Sequence, residues 1–506
     1  MRLGDLVPPD TALAATDAAR GVTGFAIDHR KVAPGTVFGA FAGATVNGED
    51  FIPAAVAAGA VAVVTRPEAQ VVGAAHLADA EPRRLFARIA APFFAPYPAT
   101  TVAVTGTNGK TSTVELTRQL WRLAGHRAAS IGTLGVTTAD DQVTTGLTTP
   151  DIVTFLANMG GLAREGLSHV AFEASSHGLA QYRTEGLPVR AAAFTNLSRD
   201  HLDYHGTMAD YFAAKLRLFT DVVDPGGTAV VWDDGSEWAK SVISATAARG
   251  VDTIVIRDPA VAPPQHGRGT ETADPRPGER HLVVQARTAT ALGQRLDLVW
   301  GGRTFHVDLP LIGAYQAANA LTAAALVIAC RGDPAATFAN LARVQPVRGR
   351  LERAVITQSG AAVYVDYAHT PDALAAACDA LRPHVAGRLR LVFGAGGDRD
   401  AGKRPLMGAV AVTRADDVIV TDDNPRSEDA AAIRAAILAA APGATEIGDR
   451  RAAIRAAIAA SGPGDVVLVA GKGHEQGQIV GDRVLPFDDV VVARDLADAI
   501  ARERAA

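Results

Sequence analysis

Short apolar runs of strand character alternate with helical patterns along most of the chain, which predicts an α/β protein built on mainly parallel sheets. Seven of these runs pass directly into polar segments. Val102-Ala103-Val104 runs into TGTNGKT, Val170-Ala171-Phe172 into EASSHG, and Ala192-Ala193-Phe194 into TNLSRDHLDYH. Further on, Val363-Tyr364-Val365 leads into DYAHTP, Leu391-Val392-Phe393 into GAGGDRDAGKRP, Val418-Ile419-Val420 into TDDNPR, and Val466 to Val469 into AGKGHE. Ligands of open α/β sheets bind beyond the carboxyl ends of strands. Two sheets whose polar rims face one cleft are therefore expected.

Breaks in the pattern suggest three units. The proline cluster from Pro92 to Pro98 reads as a linker, and Arg331-Gly332-Asp333-Pro334 follows the apolar helix Ala317 to Ala329. The expected division is 1–97, 98–331 and 332–506. Residues 258–281 lack periodicity and read as an exposed loop of the middle unit. Of the 506 residues, 48% are hydrophobic and 20% charged, which excludes a mainly disordered chain. A net charge of -5 argues against a nucleic-acid partner. No run of about eighteen apolar residues argues for a membrane, and two cysteines, Cys330 and Cys378, suit a reducing cytoplasmic setting.

Thr105-Gly106-Thr107-Asn108-Gly109-Lys110-Thr111, with Ser112 beside it, stands between a strand and a helix whose Val114, Thr117, Trp121 and Ala124 share one face. Glycines let backbone N–H groups converge on phosphate, Lys110 neutralises, and Thr111 offers a hydroxyl to magnesium. The loop departs from the general P-loop pattern, having Val104 where the first glycine would stand. Nucleotide binding is still the better reading than a bare turn. Glu173 ends a buried strand, where a carboxylate needs a cation or a hydrogen-bond network. Asp200, His201, Asp203 and His205 offer further oxygen and nitrogen ligands, a better reading of the cluster as a whole than a helix start capped by Asp and His.

Lys215 shares a helix face with Tyr211, Phe212, Leu216 and Phe219. Snorkelling accounts for that placement. If the lysine sits about 4 Å from a divalent metal, the repulsion is roughly 8 kcal/mol at an effective dielectric near 20, and carbamylation by CO2 would reverse its charge. The residues alone do not justify that step.

Together TGTNGKT at 105–111, EASSHGL at 173–179, NLSRDHLDYH at 196–205 and AKLRLF at 214–219 resemble the Mur ligases of peptidoglycan synthesis. GAYQAANALTA at 313–323, RGRLE at 348–352, DYAHTPDAL at 366–374, GGDRDAGKRP at 396–405, DDNPR at 422–426 and GKGHE at 471–475 look like the members that add the third peptide residue. The resemblance implies a small α/β N-terminal domain for a UDP-sugar, a central P-loop ATPase domain and a C-terminal Rossmann-like domain for the amino acid. It implies an ATP-dependent amide ligase, a monomer, that joins meso-diaminopimelate to UDP-N-acetylmuramoyl-L-alanyl-D-glutamate through an acyl phosphate.

By the same resemblance, Thr111 and Glu173 hold one Mg2+, and His201 and a carbamylated Lys215 a second. Asn319, Arg350 and His369 lie near ATP, and Thr148, Thr149, Ser175, Gln181 and Arg183 near the sugar-dipeptide. Asp423-Asn424-Pro425-Arg426 with Arg399, Gly471 and Glu475 selects the amino acid, since a guanidinium grips the distal carboxylate that lysine lacks. Read without the resemblance, Asn424-Pro425 is a surface turn with Ser427 capping the next helix. Three departures stand out: Asp28-His29-Arg30 for Asp-Ser-Arg, which bears on the nucleotide-sugar contact at His29; Asn47-Gly48 for Asp-Gly; and Gln316 for Asn. Alternatives are the L-lysine-adding counterpart, a folate polyglutamate ligase, and a nucleotide-controlled switch.

Overall fold

The structure is a computed structural model that describes residues 1–43, 46–143, 146–260, 278–290 and 293–505. Among the described residues the N-terminal sheet is parallel, ordered Gly24–Ala26, Thr36–Gly39, Ala60–Thr65, Ala75–Ala78. Helix Pro82–Phe94 packs on it through Leu85, Phe86 and Ile89. The proline cluster expected to form the linker therefore begins inside a helix. Pro92 fills a helical position and only Ala95 onward is extended.

The middle sheet has a parallel centre, ordered Asp252–Arg257, Thr228–Asp233, Ala191–Phe194, Thr100–Thr105, His169–Glu173, Ala128–Gly132. Its strands are buried on both faces, which is why they read as continuous apolar runs. Beyond Asp252–Arg257, Glu279–Thr290 pairs parallel to it, then Gly293–Trp300 and Arg303–Leu309 add antiparallel. Residues 279–281 are thus strand rather than the end of the expected loop, while 261–277 lie outside the described residues.

The third sheet is ordered Glu352–Ile356, Ala362–Asp366, Val466–Ala470, Leu389–Phe393, Asp417–Val420, Thr445–Glu446, parallel apart from its first strand. Residues 332–347, assigned by sequence to this unit, pack on the middle sheet instead. Phe338, Leu341, Val344 and Val347 share a core with Val102, Leu116 and Leu326. Apolar contact outweighs the break at Gly332-Asp333, where Asp333 simply caps helix Pro334–Asn340. No helix among the described residues is long and apolar enough to cross a membrane.

Candidate active site

All seven polar segments leave the carboxyl ends of strands as expected. Gly106 (φ +147°) and Gly109 (φ +87°) let the loop after Thr100–Thr105 turn tightly. A side chain at 106 would strike Thr195 Oγ1, and one at 109 would strike Asn319 Oδ1. The loop is pinned from the neighbouring strand end: Asn108 N donates to Asn196 Oδ1 at 3.0 Å, and Thr195 Oγ1 donates to Asn108 O at 2.6 Å. Lys110, first residue of helix Lys110–Leu123, folds back so that Nζ donates to the Gly106 and Thr107 carbonyls, both at 2.9 Å. Burial and the nearby Arg350 lower its basicity, while Glu173 and Asp200 oppose that.

A cleft of about 470 Å³ opens above this loop. Thr107 to Ser112, Thr133, Thr148, Glu173, His201 and Asn319 line it from the middle sheet, and Arg350, Tyr367 and His369 from the third. Lys110 and Glu173 thus face the same space. Arg350 Nη2 donates to Thr111 Oγ1 at 3.1 Å, and its guanidinium lies 4.3 Å from the Tyr367 ring. Gln316 stands apart from the cleft; its Nε2 donates to Arg350 O at 2.8 Å. Asn196, Asp234, Tyr315 and Asn319 also border a cavity of about 640 Å³, walled by Trp232, Gln294 and Ala380, with room for a nucleoside.

Glu173 is 2% exposed, and Thr133 donates to it through N (2.7 Å) and Oγ1 (3.2 Å). It forms no ion pair among the described residues, so a cation suits its charge. Behind it Thr149 Oγ1 donates to Glu173 O, Ser175 N donates to Thr149 Oγ1, and Arg183 Nη1 donates to Thr149 O. Gln181 accepts from Arg183 and donates to Tyr204. Thr148, hydrogen-bonded to Thr133, joins this network to the cleft.

Lys215 is 1% exposed, with Nζ 2.8 Å from Gly106 O and 4.5 Å from the Tyr211 ring centre. Burial, and then the charge of Lys110, drives its pKa well below the usual lysine value. His201 adopts φ +53° before the short helix Leu202–His205, with Nε2 3.4 Å from Asp200. Of the four acids and histidines in this segment, Asp200 and His201 line the cleft. Asp203 and His205 do not line the cleft, and no three His, Cys, Asp or Glu among the described residues stand as a metal-holding group. His177 was overlooked by sequence. It packs edge-on to His201 at 4.9 Å, and burial, then His201, pushes its pKa down to about 4. Its place in the EASSHG strand-end segment was the available signal.

On the third sheet, Asn424 Nδ2 donates to Glu475 Oε2 at 2.8 Å, and Gly397 N donates to Asn424 O at 2.9 Å. Lys472, fully buried and also overlooked, donates to Asn424 Oδ1 and Glu475 Oε2. Arg426 takes φ +53°; Nη1 donates to Gly397 O at 2.7 Å and the guanidinium has no ion pair among the described residues. A side chain on Gly471 would strike Asp423. Pro425 is buried in this turn, and Arg399 is exposed beside it, donating to Asp398 O. Ser427 does not cap the following helix; Asp429 does, and Ser427 Oγ donates to Asp398. Tyr367 packs on Arg350, His369 and His474 and so joins these loops to the cleft.

His29 lies apart from the cleft, its ring stacked on Phe51 at 4.2 Å. Asp28 and Asn47 cap the short turns after them.

Family models match in three stretches: the Mur ligase family catalytic domain at 21–90, the Mur ligase middle domain at 104–327, and the Mur ligase glutamate ligase domain at 349–473. The chain is 57% identical over 478 residues to the UDP-N-acetylmuramoyl-L-alanyl-D-glutamate 2,6-diaminopimelate ligase of Zymomonas mobilis, covering 94% of each. It is 51% identical to the enzyme of the same name from Bradyrhizobium diazoefficiens, over 99% of this chain and 100% of that one. A solved structure of a ligase of that name is 31% identical with TM-score 0.69, covering 99% of each chain.

Proposed function

The chain belongs to the Mur ligase family, and on that premise we propose that it is the ATP-dependent ligase joining meso-2,6-diaminopimelate to UDP-N-acetylmuramoyl-L-alanyl-D-glutamate. The observation that carries this reading is one cleft lined by the phosphate loop and Glu173 on one side and by Arg350 and His369 on the other. A carboxylate does not condense with an amine in water. Transfer of the γ-phosphoryl group of ATP to the glutamate carboxylate gives an acyl phosphate and ADP; the amine then attacks the carbonyl, loses a proton and expels phosphate. Such transfer needs positioning and charge neutralisation above all.

Lys110 supplies a charge to the phosphates, Asn319 and Arg350 orient the nucleotide, and Thr148, Thr149, Ser175, Gln181 and Arg183 hold the sugar-dipeptide. Residues 1–97, with His29, take the UDP end. The ammonium of diaminopimelate's distal centre suits Glu475 and its carboxylate suits Arg426. Mg2+ fits Thr111 with Glu173, would fit His201 with Lys215 only once a carbamate gives that lysine oxygen donors, and when bound would supply positive charge to the phosphate oxygens. The burial of Glu173 without an ion pair supports the first of these positions.

The lowered basicity of Lys215 favours its neutral amine over the ammonium, and a neutral amine adds CO2, releasing one proton to give a carbamate. CO2-free buffer is expected to lower kcat by about tenfold or more, the loss that corresponds to about 1.4 kcal/mol. Bicarbonate should restore it, and Lys215→Met should respond to neither. Undiminished turnover of the unmutated enzyme without CO2 would rule the carbamate out. The activity itself is tested by measuring ADP release and amide product together, with UDP-muramyl dipeptide or a folate as acceptor. One amide per ADP with the muramyl substrate is expected; turnover with folate, or ADP without amide, sinks the proposal.

A further inference from the structure

Arg450 and Asp489 form an ion pair with both side chains 0% exposed, neither of them assigned a chemical role above. Asp489 Oδ1 accepts from Nε at 2.8 Å and Oδ2 from Nη2 at 2.7 Å. The remaining donors do not go to other side chains. Nη2 also donates to Ala470 O at 3.0 Å and Nη1 to Asp422 O at 3.3 Å. Those carbonyls belong to the residues immediately before the segments 423–426 and 471–475.

The strands that carry the two segments, Asp417–Val420 and Val466–Ala470, are not neighbours, because Leu389–Phe393 lies between them. Hydrogen bonds between these two strands therefore do not set the spacing at the loop bases, while further out the loops are joined by Lys472, Asn424 and Glu475. A planar guanidinium with donors in a fixed fork can set the spacing at the bases. Fully buried ion pairs are weak evidence for stability, since apolar pairs of similar volume often replace them without loss. The arrangement makes better sense as geometry.

We propose that Arg450, clamped by Asp489, is a positioning residue that holds the 423–426 and 471–475 loops at the separation needed to select the amino acid. This rests on the function proposed above. A misplacement of order 1 Å costs about a hundredfold. Arg450→Lys keeps a cation against Asp489 but cannot span both carbonyls as well. In this variant KM for diaminopimelate should rise about ten- to a hundredfold, preference over L-lysine should fall, and KM for ATP should stay unchanged. The double variant Arg450→Met, Asp489→Leu should behave alike with Tm retained.

Amide hydrogen exchange gives a readout independent of activity: both loops, but not the 105–111 loop, should exchange faster in Arg450→Lys. Native exchange at both loops with wild-type KM in the folded Lys variant overturns the proposal. Failure of the unmutated enzyme to use diaminopimelate would instead overturn the underlying function, and the exchange result would still decide whether Arg450 fixes the loops.

Discussion

Lys110→Ala is expected to lower amide formation and the ADP release coupled to it by about a thousandfold. Its Nζ is held by the Gly106 and Thr107 carbonyls, within the loop that turns about Gly106 and Gly109. A unit charge about 4 Å from another contributes about 4 kcal/mol at an effective dielectric near 20, which is about three decades in rate. The charge accumulating on the transferred phosphoryl group is where this is felt, so kcat should fall further than nucleotide affinity. Circular dichroism and Tm of the variant should stay close to the parent's, because the rest of the loop is held by Asn196 and Thr195. ADP formation at the parent's rate would remove the loop from the reaction.

The second large effect is on choice of amino acid. Arg426→Ala is expected to cut kcat/KM for meso-diaminopimelate by about a hundred- to a thousandfold while leaving the low rate with L-lysine nearly unchanged. A site built to hydrogen-bond a polar group rejects an analogue lacking it by as much as about 10⁴-fold, because its own groups are left unpaired. In the function proposed above Arg426 takes that part, and it is half-buried, held toward Gly397 O, and without a carboxylate partner among the described residues. Competition between the two amino acids for limiting enzyme, read as product ratio, measures the effect directly. Equal use of both by the unmutated protein would defeat the assignment of Arg426.

The centres of the sheets were legible because buried parallel strands such as Val102 to Val104 and Val466 to Val469 are unbroken apolar runs with abrupt polar ends. The antiparallel extension was not. In Glu279–Thr290 only Leu282 and Val284 are buried, and polar residues dominate its exposed half. Residues 332–347 were misassigned because a Gly-Asp-Pro break looks the same whether the chain leaves a domain or caps another helix on it. Within the site, the strand-end motifs brought forward Lys110, Glu173 and His201. His177 and Lys472 stayed hidden inside the same motifs, since only tertiary packing shows a histidine against His201 or a lysine spanning Asn424 and Glu475.

The chain passes from the middle sheet to the third through a short tether in which Gly349 and Leu351 both take left-handed conformations, at φ +64° and +50°. Arg350 stands between them, reaching the hydroxyl at the start of the phosphate-loop helix. This one side chain thus ties the tether to both of its neighbours, to Thr111 Oγ1 on the phosphate-loop side and to the Tyr367 ring on the other, so Arg350→Ala removes both contacts together.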